Sequence, residues 1–274
     1  KHLEDDIRKK VAAFCNVDFD CVVQSEDLPS IYDVPVNMLN QGLDAAILRK
    51  CGEKVGPKPA LGPWKEFLDR QRKATKEVHI GLVGKYDLQD AYKSIREGLL
   101  QAGVYNDHKT VITFINSEDL TEANVGEKLQ GQDGIVICPG FGQRGIEGKI
   151  VAARYTRTHN IPTFGICLGM QMMVIEFARN VLGYKDANSR EMDGKTAHNV
   201  IDIMEEQKNI TNMGGTMRLG AYECVLRQGS RVFDIYRQEH IQERHRHRYE
   251  FNNDYEKEFE KNGMMCVGRN PESD

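Results

Sequence analysis

The stretch Pro162-Thr163-Phe164-Gly165-Ile166-Cys167-Leu168-Gly169-Met170-Gln171 decides the fold. It starts as a short apolar strand and continues into the first turn of a helix. The cysteine has a glycine two residues before it and another two residues after it, which matches the pattern glycine-x-nucleophile-x-glycine. The small residues of this pattern let the chain turn sharply enough to hold a strained nucleophile above a sheet. The stretch therefore predicts an α/β fold with Cys167 as a nucleophile.

Strands and helices alternate along the chain around this turn. Strands that are apolar throughout are typical of parallel strands buried on both faces, and right-handed crossovers place helices on both sides of such a sheet. The pattern predicts an α/β fold with a doubly wound, open, mostly parallel sheet. The predicted strands are 78–84, 111–115, 134–138 and 162–166, and the predicted helices among them are 90–101 and 147–159. Further strands are predicted at 199–204 and 218–226, followed by a polar helix at 254–262.

The first 76 residues follow a different pattern. Residues 1–14 carry apolar side chains at helical spacing, which predicts a helix that docks against a partner, and a second helix is predicted from Val36 to Leu48. The segment from Gly52 to Lys76 is rich in Pro, Gly and Lys and predicts a tether with a short helix. The apolar stripe of the first helix consists of Leu3, Ile7, Val11 and Phe14.

Composition excludes several classes of protein. The formal net charge of −4 over 274 residues argues against a general attraction to nucleic acid or to anionic lipid. The 7 cysteines are odd in number and include no C-x-x-C pair, so neither a disulfide framework nor a structural zinc site is predicted, and a reducing cytoplasm fits best. No apolar run approaches the roughly 18 residues that span a bilayer, and no signal region follows the charged N-terminus.

The position of Cys167 explains how its thiol would react. A helix N-terminus carries partial positive charge, which favours the thiolate, and the next backbone amide, that of Leu168, is expected to face a developing oxyanion. The other six cysteines are interpreted as ordinary structural residues. A second loop, 138–145, follows the preceding strand and should lie at the same edge of the sheet. Its amide at Gly140 is a candidate second oxyanion donor, and a plain turn is the alternative.

The segment 243–250, ERHRHRYE, alternates as a strand does. Its arginines (Arg244, Arg246 and Arg248) fall on one face, and its histidines (His245 and His247) fall on the other. Such a segment is either a solvated edge strand or a clamp for a carboxylate or phosphate, and the residues alone leave both open.

Taken together, the motifs closely resemble the CTP synthase family. No single motif carries the resemblance. The segments at 214–220 and 243–250 are far more specific than the glycine-x-cysteine-x-glycine pattern at 165–169, here called the nucleophile turn, which many amidotransferases share. Two earlier segments, at 12–17 and 30–35, resemble the end of the family's synthetase domain. The motifs in order are AAFCNV, SIYDVP, VGKY, DAYKSI, GFGQRGIEGKI, FGICLGMQ, DANSRE, GGTMRLG and ERHRHRYE.

The resemblance implies a domain organisation. Residues 1–51 would be the C-terminal remnant of a synthetase (amidoligase) domain, 52–76 an interdomain linker, and 77–274 a class I glutamine amidotransferase domain with a flavodoxin-like sheet. The synthetase would phosphorylate UTP with ATP and Mg²⁺ and aminate it to CTP with ammonia released from L-glutamine. GTP as an allosteric activator and a homotetramer formed through the synthetase domain are implied as well, without a cofactor or metal in the glutaminase domain.

The resemblance also implies site residues. Cys167 would form the γ-glutamyl thioester, with the amides of Gly140 and Leu168 as oxyanion donors. The positions that would hold glutamine are Phe141, Gln171, Glu191 and Arg246, and the charges make physical sense because Glu191 can pair with the α-ammonium and Arg246 with the α-carboxylate. Arg144 and Arg218 are the expected contacts for GTP.

Two departures from the family pattern stand in the sequence. The family usually has Pro-Gly-Gly-Phe-Gly in the oxyanion loop, whereas Cys138 and Pro139 precede Gly140 here. The family also completes its triad with His-Pro-Glu, which does not occur in this chain, and truncation at the end of the sequence is the favoured interpretation. The alternatives are a non-catalytic glutaminase-like module that binds or regulates, and another cysteine amidotransferase or hydrolase on the same fold.

Overall fold

The computed structural model describes residues 2–87, 90–203 and 218–272. The chain divides into two compact units. The first, here called the N-terminal unit, consists of residues 1–77 and 100–109. The second, here called the sheet unit, consists of residues 78–99 and 110–274 and contains the nucleophile turn.

The N-terminal unit is helical. Its small core joins Tyr32 to Phe67 and Leu68 of the linker segment and to Val104. The segment predicted as a tether therefore contains a helix with two buried side chains. The helices are α1 (Asp5–Cys15), α2 (Val34–Asn40), α3 (Leu43–Lys50) and α4 (Gly62–Lys73), together with the end of α5 (Lys93–Tyr105).

The single helix predicted from Val36 to Leu48 is wrong, because the structure has two helices there, α2 and α3. Gly42 lies between them with a φ of +80°, a left-handed conformation that ends the first helix and starts the second. The predicted helix at the N-terminus is present as α1. Its apolar stripe is exposed, with Phe14 at 97%.

The sheet unit contains a four-stranded sheet in the order β2-β1-β3-β4. β1 pairs in parallel with β3, and β3 pairs in parallel with β4. This confirms the predicted doubly wound, mostly parallel α/β fold. The strands are β1 (Lys76–Gly84), β2 (His108–Asn116), β3 (Gly134–Ile137) and β4 (Thr163–Gly165), and the helices are α5, α6 (Val125–Lys128), α7 (Ile146–Thr158) and α8 (Leu168–Phe177).

Alternate residues of the sheet enter two separate cores, one on each face. Val83 and Ile137 pack on one face with Ala152 of α7. Leu82 and Val136 pack on the other with residues of the loop before α5 and of α5 itself. Both faces are thus covered by apolar side chains, which explains why the strands are apolar along their whole length. The predicted strands and helices of this unit are confirmed, with ends that shift by up to four residues.

Two three-stranded sheets complete the unit. β10 (Gly268–Arg269), β7 (Arg218–Leu226) and β8 (His240–His247) form one, and its pairs are antiparallel. β5 (Asn188–Ser189), β6 (Asn199–Ile203) and β9 (Tyr249–Phe251) form the other. Among the described residues, α9 (Arg231–Tyr236) and α10 (Glu256–Lys261) lie between these strands. No described helix has both the length and the apolar character of a membrane span.

A buried ion pair joins α7 to α8. Glu176 is 1% exposed, and its two carboxylate oxygens accept hydrogen bonds of 2.8 and 2.7 Å from Nε and Nη2 of Arg157. The same pairing raises the pKa of Arg157. Because removing one partner leaves the other charge uncompensated in the interior, this pair is sensitive to substitution.

We expect Arg157→Met to lower the free energy of unfolding by about 2 kcal/mol, since it leaves the Glu176 carboxylate buried without its cation, while partial exposure of the arginine limits the loss. Urea unfolding measures the change. Arg154→Met is the matched control, because Arg154 lies on the same helix and pairs at 3.0 Å with Glu122 at the surface. Equal losses in the two variants would contradict the expectation.

Candidate active site

The backbone turns sharply at Cys167, between β4 and α8. Cys167 has φ 53° and ψ −112°, a strained conformation for a residue with a side chain. The glycines on either side are required by close packing. A Cβ on Gly165 would lie 2.6 Å from the nitrogen of Met170, and one on Gly169 would lie 2.7 Å from the carbonyl carbon of Ile137 and closer still to its oxygen. The predicted nucleophile turn is therefore present, and packing explains its sequence.

The surroundings of the Cys167 sulfur act on its pKa in opposite directions. Burial of the sulfur among protein atoms raises the pKa, although the residue itself is open to solvent. The amide of Leu168 and the ammonium of Lys149 lower the pKa, and the carboxylate of Glu191 raises it. The amide at the helix N-terminus acts in the predicted direction, but the net direction of the pKa is upward because burial outweighs that amide.

The loop 138–145 lies next to this turn, as the sequence predicted, because β3 and β4 are neighbours and Ile137 is opposite Gly165. Gly140 and Leu168 adjoin each other, since a Cβ on Gly140 would be 3.5 Å from Cδ2 of Leu168. The two amides predicted as oxyanion donors thus come from adjacent segments. The amide of Cys138 donates to the carbonyl of Val83 and Pro139 has no amide hydrogen, so the next amide along the loop is that of Gly140.

Two lysines that the sequence analysis did not single out contact this loop. The ammonium of Lys85 donates to the carbonyl of Phe141, and that of Lys149 donates to the carbonyl of Cys138 at 2.7 Å. Both side chains are buried, at 6% and 0% exposure. A signal existed for Lys149, because it lies one turn from Ile146 on the apolar face of α7, where a lysine is unusual.

Three of the four predicted glutamine-binding residues lie in the loop, on the helix after the turn, or in contact with the loop. Phe141 is 74% exposed, with its ring open to solvent. Gln171 is 4% exposed; its Nε2 donates to the carbonyl of Tyr249 at 3.0 Å, and its Oε1 is buried without a partner. Glu191 accepts a hydrogen bond of 3.4 Å from the amide of Gly142.

A hydrogen bond ties the segment that carries Glu191 to the loop. Nε2 of Gln143 donates to the carbonyl of Met192 at 2.8 Å. Together with the bond from Gly142 to Glu191, this fixes a carboxylate beside the oxyanion loop. The site therefore offers backbone donors with a fixed negative charge beside them.

The predicted arginines are placed less directly. Arg246 is an exposed residue of β8 opposite Leu219, and no described contact joins it to the nucleophile turn. Arg144 pairs with Glu118 at 2.6 Å, and Arg218 pairs with Glu250 at 3.4 Å, so both predicted GTP contacts carry an ion pair in the described structure.

The alternation predicted for 243–250 is confirmed as far as His247. β8 ends there, and Arg248 falls in a bend before β9, with its Nε buried. The side chains of His245 and His247 approach each other to 3.3 Å between Nδ1 atoms, on the face opposite Arg246. Of the segment 214–220, only Arg218, Leu219 and Gly220 lie within the described residues.

No described histidine forms a hydrogen bond with the Cys167 sulfur. A cysteine nucleophile of this kind needs a base to accept its proton and return it to the leaving group. The described part of the chain thus contains the nucleophile turn, the loop donors and the fixed carboxylate, without a base in contact.

One group of potential metal ligands occurs among the described residues. Asp18, Asp20 and Cys21 lie within 4.8 Å of one another in the N-terminal unit. The two carboxylates pair with Lys50 and Arg49, which offset their charge. This group does not fit a Mg²⁺ site, because Mg²⁺ needs free oxygen ligands.

Comparison with family models gives two matches. A model described as glutamine amidotransferase class-I matches residues 87–273. A model described as CTP synthase N-terminus matches residues 1–52.

Individual relatives agree with these models. A CTP synthase from Bacteroides thetaiotaomicron is 69% identical over 274 residues, which is 99% of this chain and 51% of that protein. A CTP synthase from Porphyromonas gingivalis is 57% identical over 99% of this chain and 50% of that protein. The chain spans about half the length of the curated relatives it matches. Among solved structures, the glutaminase domain of a Trypanosoma brucei CTPS with bound acivicin matches with a TM-score of 0.66 and 38% identity, over 70% of this chain and 74% of that chain.

Proposed function

Because this chain belongs to the class I glutamine amidotransferases, and within them to the CTP synthases, we propose that the sheet unit hydrolyses L-glutamine through Cys167. The ammonia supplies an ATP-dependent amination of UTP to CTP. The observation that supports this most strongly is the strained nucleophile turn at Cys167 beside the loop amide of Gly140. This arrangement supports attack by the thiol on an amide carbonyl whose oxygen accepts hydrogen bonds from two backbone amides.

The reaction follows from these groups. The sulfur of Cys167 attacks the side-chain amide carbon of glutamine, and the carbonyl oxygen becomes an oxyanion that accepts hydrogen bonds from the amides of Leu168 and Gly140. When the oxyanion collapses, the carbon–nitrogen bond breaks. The thiol proton, held meanwhile by a base outside the described contacts, passes to the leaving nitrogen, so that ammonia and a γ-glutamyl thioester result. Water then hydrolyses the thioester to glutamate and restores the thiol.

Glutamine would be recognised at both ends. Glu191 is held beside the loop by the Gly142 amide and is the proposed partner of the α-ammonium. Gln171 offers a buried Oε1 without a partner, which is an acceptor ready for a substrate N–H. Arg246 is the proposed partner of the α-carboxylate, and the Phe141 ring would cover the bound substrate.

We expect Glu191→Gln to raise the KM for glutamine about tenfold to a hundredfold, because the α-ammonium loses a charge-assisted hydrogen bond. Alkylation of Cys167 should become faster rather than slower, since the Glu191 carboxylate raises the pKa of that thiol. Steady-state ammonia release and iodoacetamide labelling measure the two effects. Glu127→Gln, on an exposed face of α6, is the control; an unchanged KM in Glu191→Gln would contradict the assigned role.

The remaining functional assignments are proposals for the whole protein. Residues 1–51 would complete a synthetase domain that binds ATP, Mg²⁺ and UTP, 52–76 would link it to the glutaminase domain 77–274, and four copies would assemble through the synthetase. GTP would activate hydrolysis near Arg144 and Arg218. We place the protein in the cytoplasm, with neither nucleic acid nor a membrane as partner.

The proposed function is tested by following two products together. With glutamine, ATP, Mg²⁺ and UTP, the protein should release ammonia and form CTP, and ammonia supplied directly should replace glutamine. Ammonia release without CTP formation under either condition would favour another cysteine amidotransferase or hydrolase. Binding of glutamine without any release of ammonia would favour the non-catalytic module, for which the missing contact between a described histidine and Cys167 is the supporting observation.

A further inference from the structure

Lys149 is a lysine in the interior of the sheet unit. Its side chain is 0% exposed, and its ammonium donates one hydrogen bond, of 2.7 Å, to the carbonyl of Cys138. No carboxylate of the described residues forms an ion pair with it. An ammonium loses most of its hydration on burial and is retained inside a protein only where something compensates or uses the charge. A methionine would fill the same volume without that cost.

The ammonium adjoins the atoms that the proposed reaction uses. A Cβ on Gly140 would lie 3.7 Å from Nζ of Lys149. The carbonyl that accepts the hydrogen bond belongs to Cys138, the first residue of the oxyanion loop, and Pro139 follows it without an amide hydrogen. Lys149 thus holds the start of the loop, two residues before the amide of Gly140.

Lys149 and Cys167 also act on each other electrostatically. Burial lowers the pKa of Lys149 to about 8; the thiols of Cys138 and Cys167 oppose this shift and the ammonium of Lys85 adds to it. In the other direction, Lys149 lowers the pKa of Cys167 against the effects of burial and of Glu191. Since its own pKa lies above neutrality, Lys149 is mainly charged at pH 7.

Lys85 does not supply the same interaction. Its ammonium donates to the carbonyl of Phe141, later in the loop, and its ring neighbours are Phe141 and Tyr86. Lys149 is the lysine whose charge acts on the Cys167 thiol. The two lysines therefore hold different parts of the loop.

We propose that Lys149 is a positioning residue for glutamine hydrolysis, an internal ammonium that holds the Cys138 carbonyl and places positive charge beside Gly140 and Cys167. The inference rests on the proposed function for its catalytic consequence. The charge favours the thiolate over the thiol and favours the negative oxygen that forms when the thiolate attacks. It acts through Cys167 and the loop, without touching substrate.

The test is the pH dependence of Cys167 alkylation in the purified protein, followed by iodoacetamide labelling and peptide mass spectrometry. We compare wild type with Lys149→Met, which keeps the volume, and Lys149→Gln, which keeps a hydrogen-bond donor; both lack the charge. At pH 7, where Lys149 is charged in the wild type, the rate of alkylation should fall about tenfold in both variants, and the difference should disappear at pH values well above the pKa of Lys149. Lys128→Met, on the exposed side of α6, changes the net charge equally and should leave the rate unchanged.

Each outcome bears on the proposal. A rate at pH 7 that is unchanged in both variants overturns it, and so does a fall in Lys149→Met that is absent in Lys149→Gln, because the hydrogen bond alone would then explain the lysine. Thermal unfolding of each variant shows that it is folded, and Lys149→Gln carries the test if Lys149→Met does not fold.

Glutamine turnover gives a second readout. The kcat for ammonia release should fall about tenfold in Lys149→Met with KM unchanged, since Lys149 does not contact substrate. A rise in KM at constant kcat would contradict the positioning role. Alkylation needs no glutamine, so slower alkylation in the Lys149 variants together with a wild-type protein that releases no ammonia would refute the proposed function and leave the coupling of Lys149 to Cys167 intact.

Discussion

Replacement of Cys167 by alanine should reduce ammonia release from glutamine by at least about ten-thousand-fold, because no other group at the turn can form the thioester. Under the proposed function, CTP formation from ammonia supplied directly should persist, since the proposed amination does not use the thiol. The variant should remain folded. Its side chain is removed from a position open to solvent, and the backbone strain at φ 53° is the same for alanine as for cysteine.

Cys51→Ala is the matched control, because Cys51 is also an exposed free cysteine and lies in the N-terminal unit. It should retain the wild-type rate of glutamine hydrolysis. If Cys167→Ala kept more than a small fraction of that rate while folded, the nucleophile would have to be another group, and the proposed mechanism would be wrong.

The second large effect concerns Gly169. Gly169→Ala should lower the free energy of unfolding by at least about 4 kcal/mol, because the new Cβ overlaps the carbonyl group of Ile137 and backbone has to move to admit it. The atoms that must move belong to β3 and to the start of α8, where Leu168 offers its amide. Activity should therefore fall even in the fraction that stays folded. Chemical denaturation followed by circular dichroism measures the loss.

Gly98→Ala provides the comparison for a glycine in a helix. Gly98 is exposed on α5, and a Cβ there meets no atom within 4 Å. Alanine should stabilise that helix by about 0.5–1 kcal/mol, as expected where helix propensity alone decides. If Gly169→Ala were as well tolerated as Gly98→Ala, the tight contact between α8 and β3 would not exist in solution.

The central part of the fold was predictable because its strands are buried on both faces. Complete burial makes a strand apolar at every position, whereas the helices between the strands repeat their apolar residues every three to four positions. The hydrophobic pattern therefore distinguishes the strands from the helices. The turn at Cys167 was predictable for a related reason. Glycine is required at positions 165 and 169 because a Cβ there would overlap Met170 and Ile137. This requirement appears in the sequence as a short motif that can be recognised without knowledge of the rest of the fold.

Other features depend on contacts that the sequence does not show. The break between α2 and α3 required a single left-handed residue, Gly42, in a segment with helical spacing throughout. The raised pKa of the Cys167 thiol depends on how deeply the sulfur is buried, whereas the sequence revealed only the nearby helix N-terminus. Lys149 was missed for a different reason: its place on the apolar face of α7 was a signal, but a lysine in a helix is ordinarily at the surface.

The site was predictable only in part for a geometric reason. Adjacent parallel strands bring their following loops together, so the meeting of Gly140 with Leu168 could be expected from the order of the strands. The distance between Arg246 and the turn depends instead on how β8 lies against the central sheet, which no pattern within either segment determines. Its assignment to the glutamine carboxylate therefore remains a proposal.

The most direct test of the central claim is to label the protein with a glutamine-mimicking electrophile and to locate the adduct by peptide mass spectrometry. The proposed function predicts one adduct, on Cys167, and predicts that glutamine slows its formation because both occupy the same site. An adduct on any of the other six cysteines in place of Cys167, formed at a rate that glutamine does not change, would contradict the assignment of Cys167 as the nucleophile.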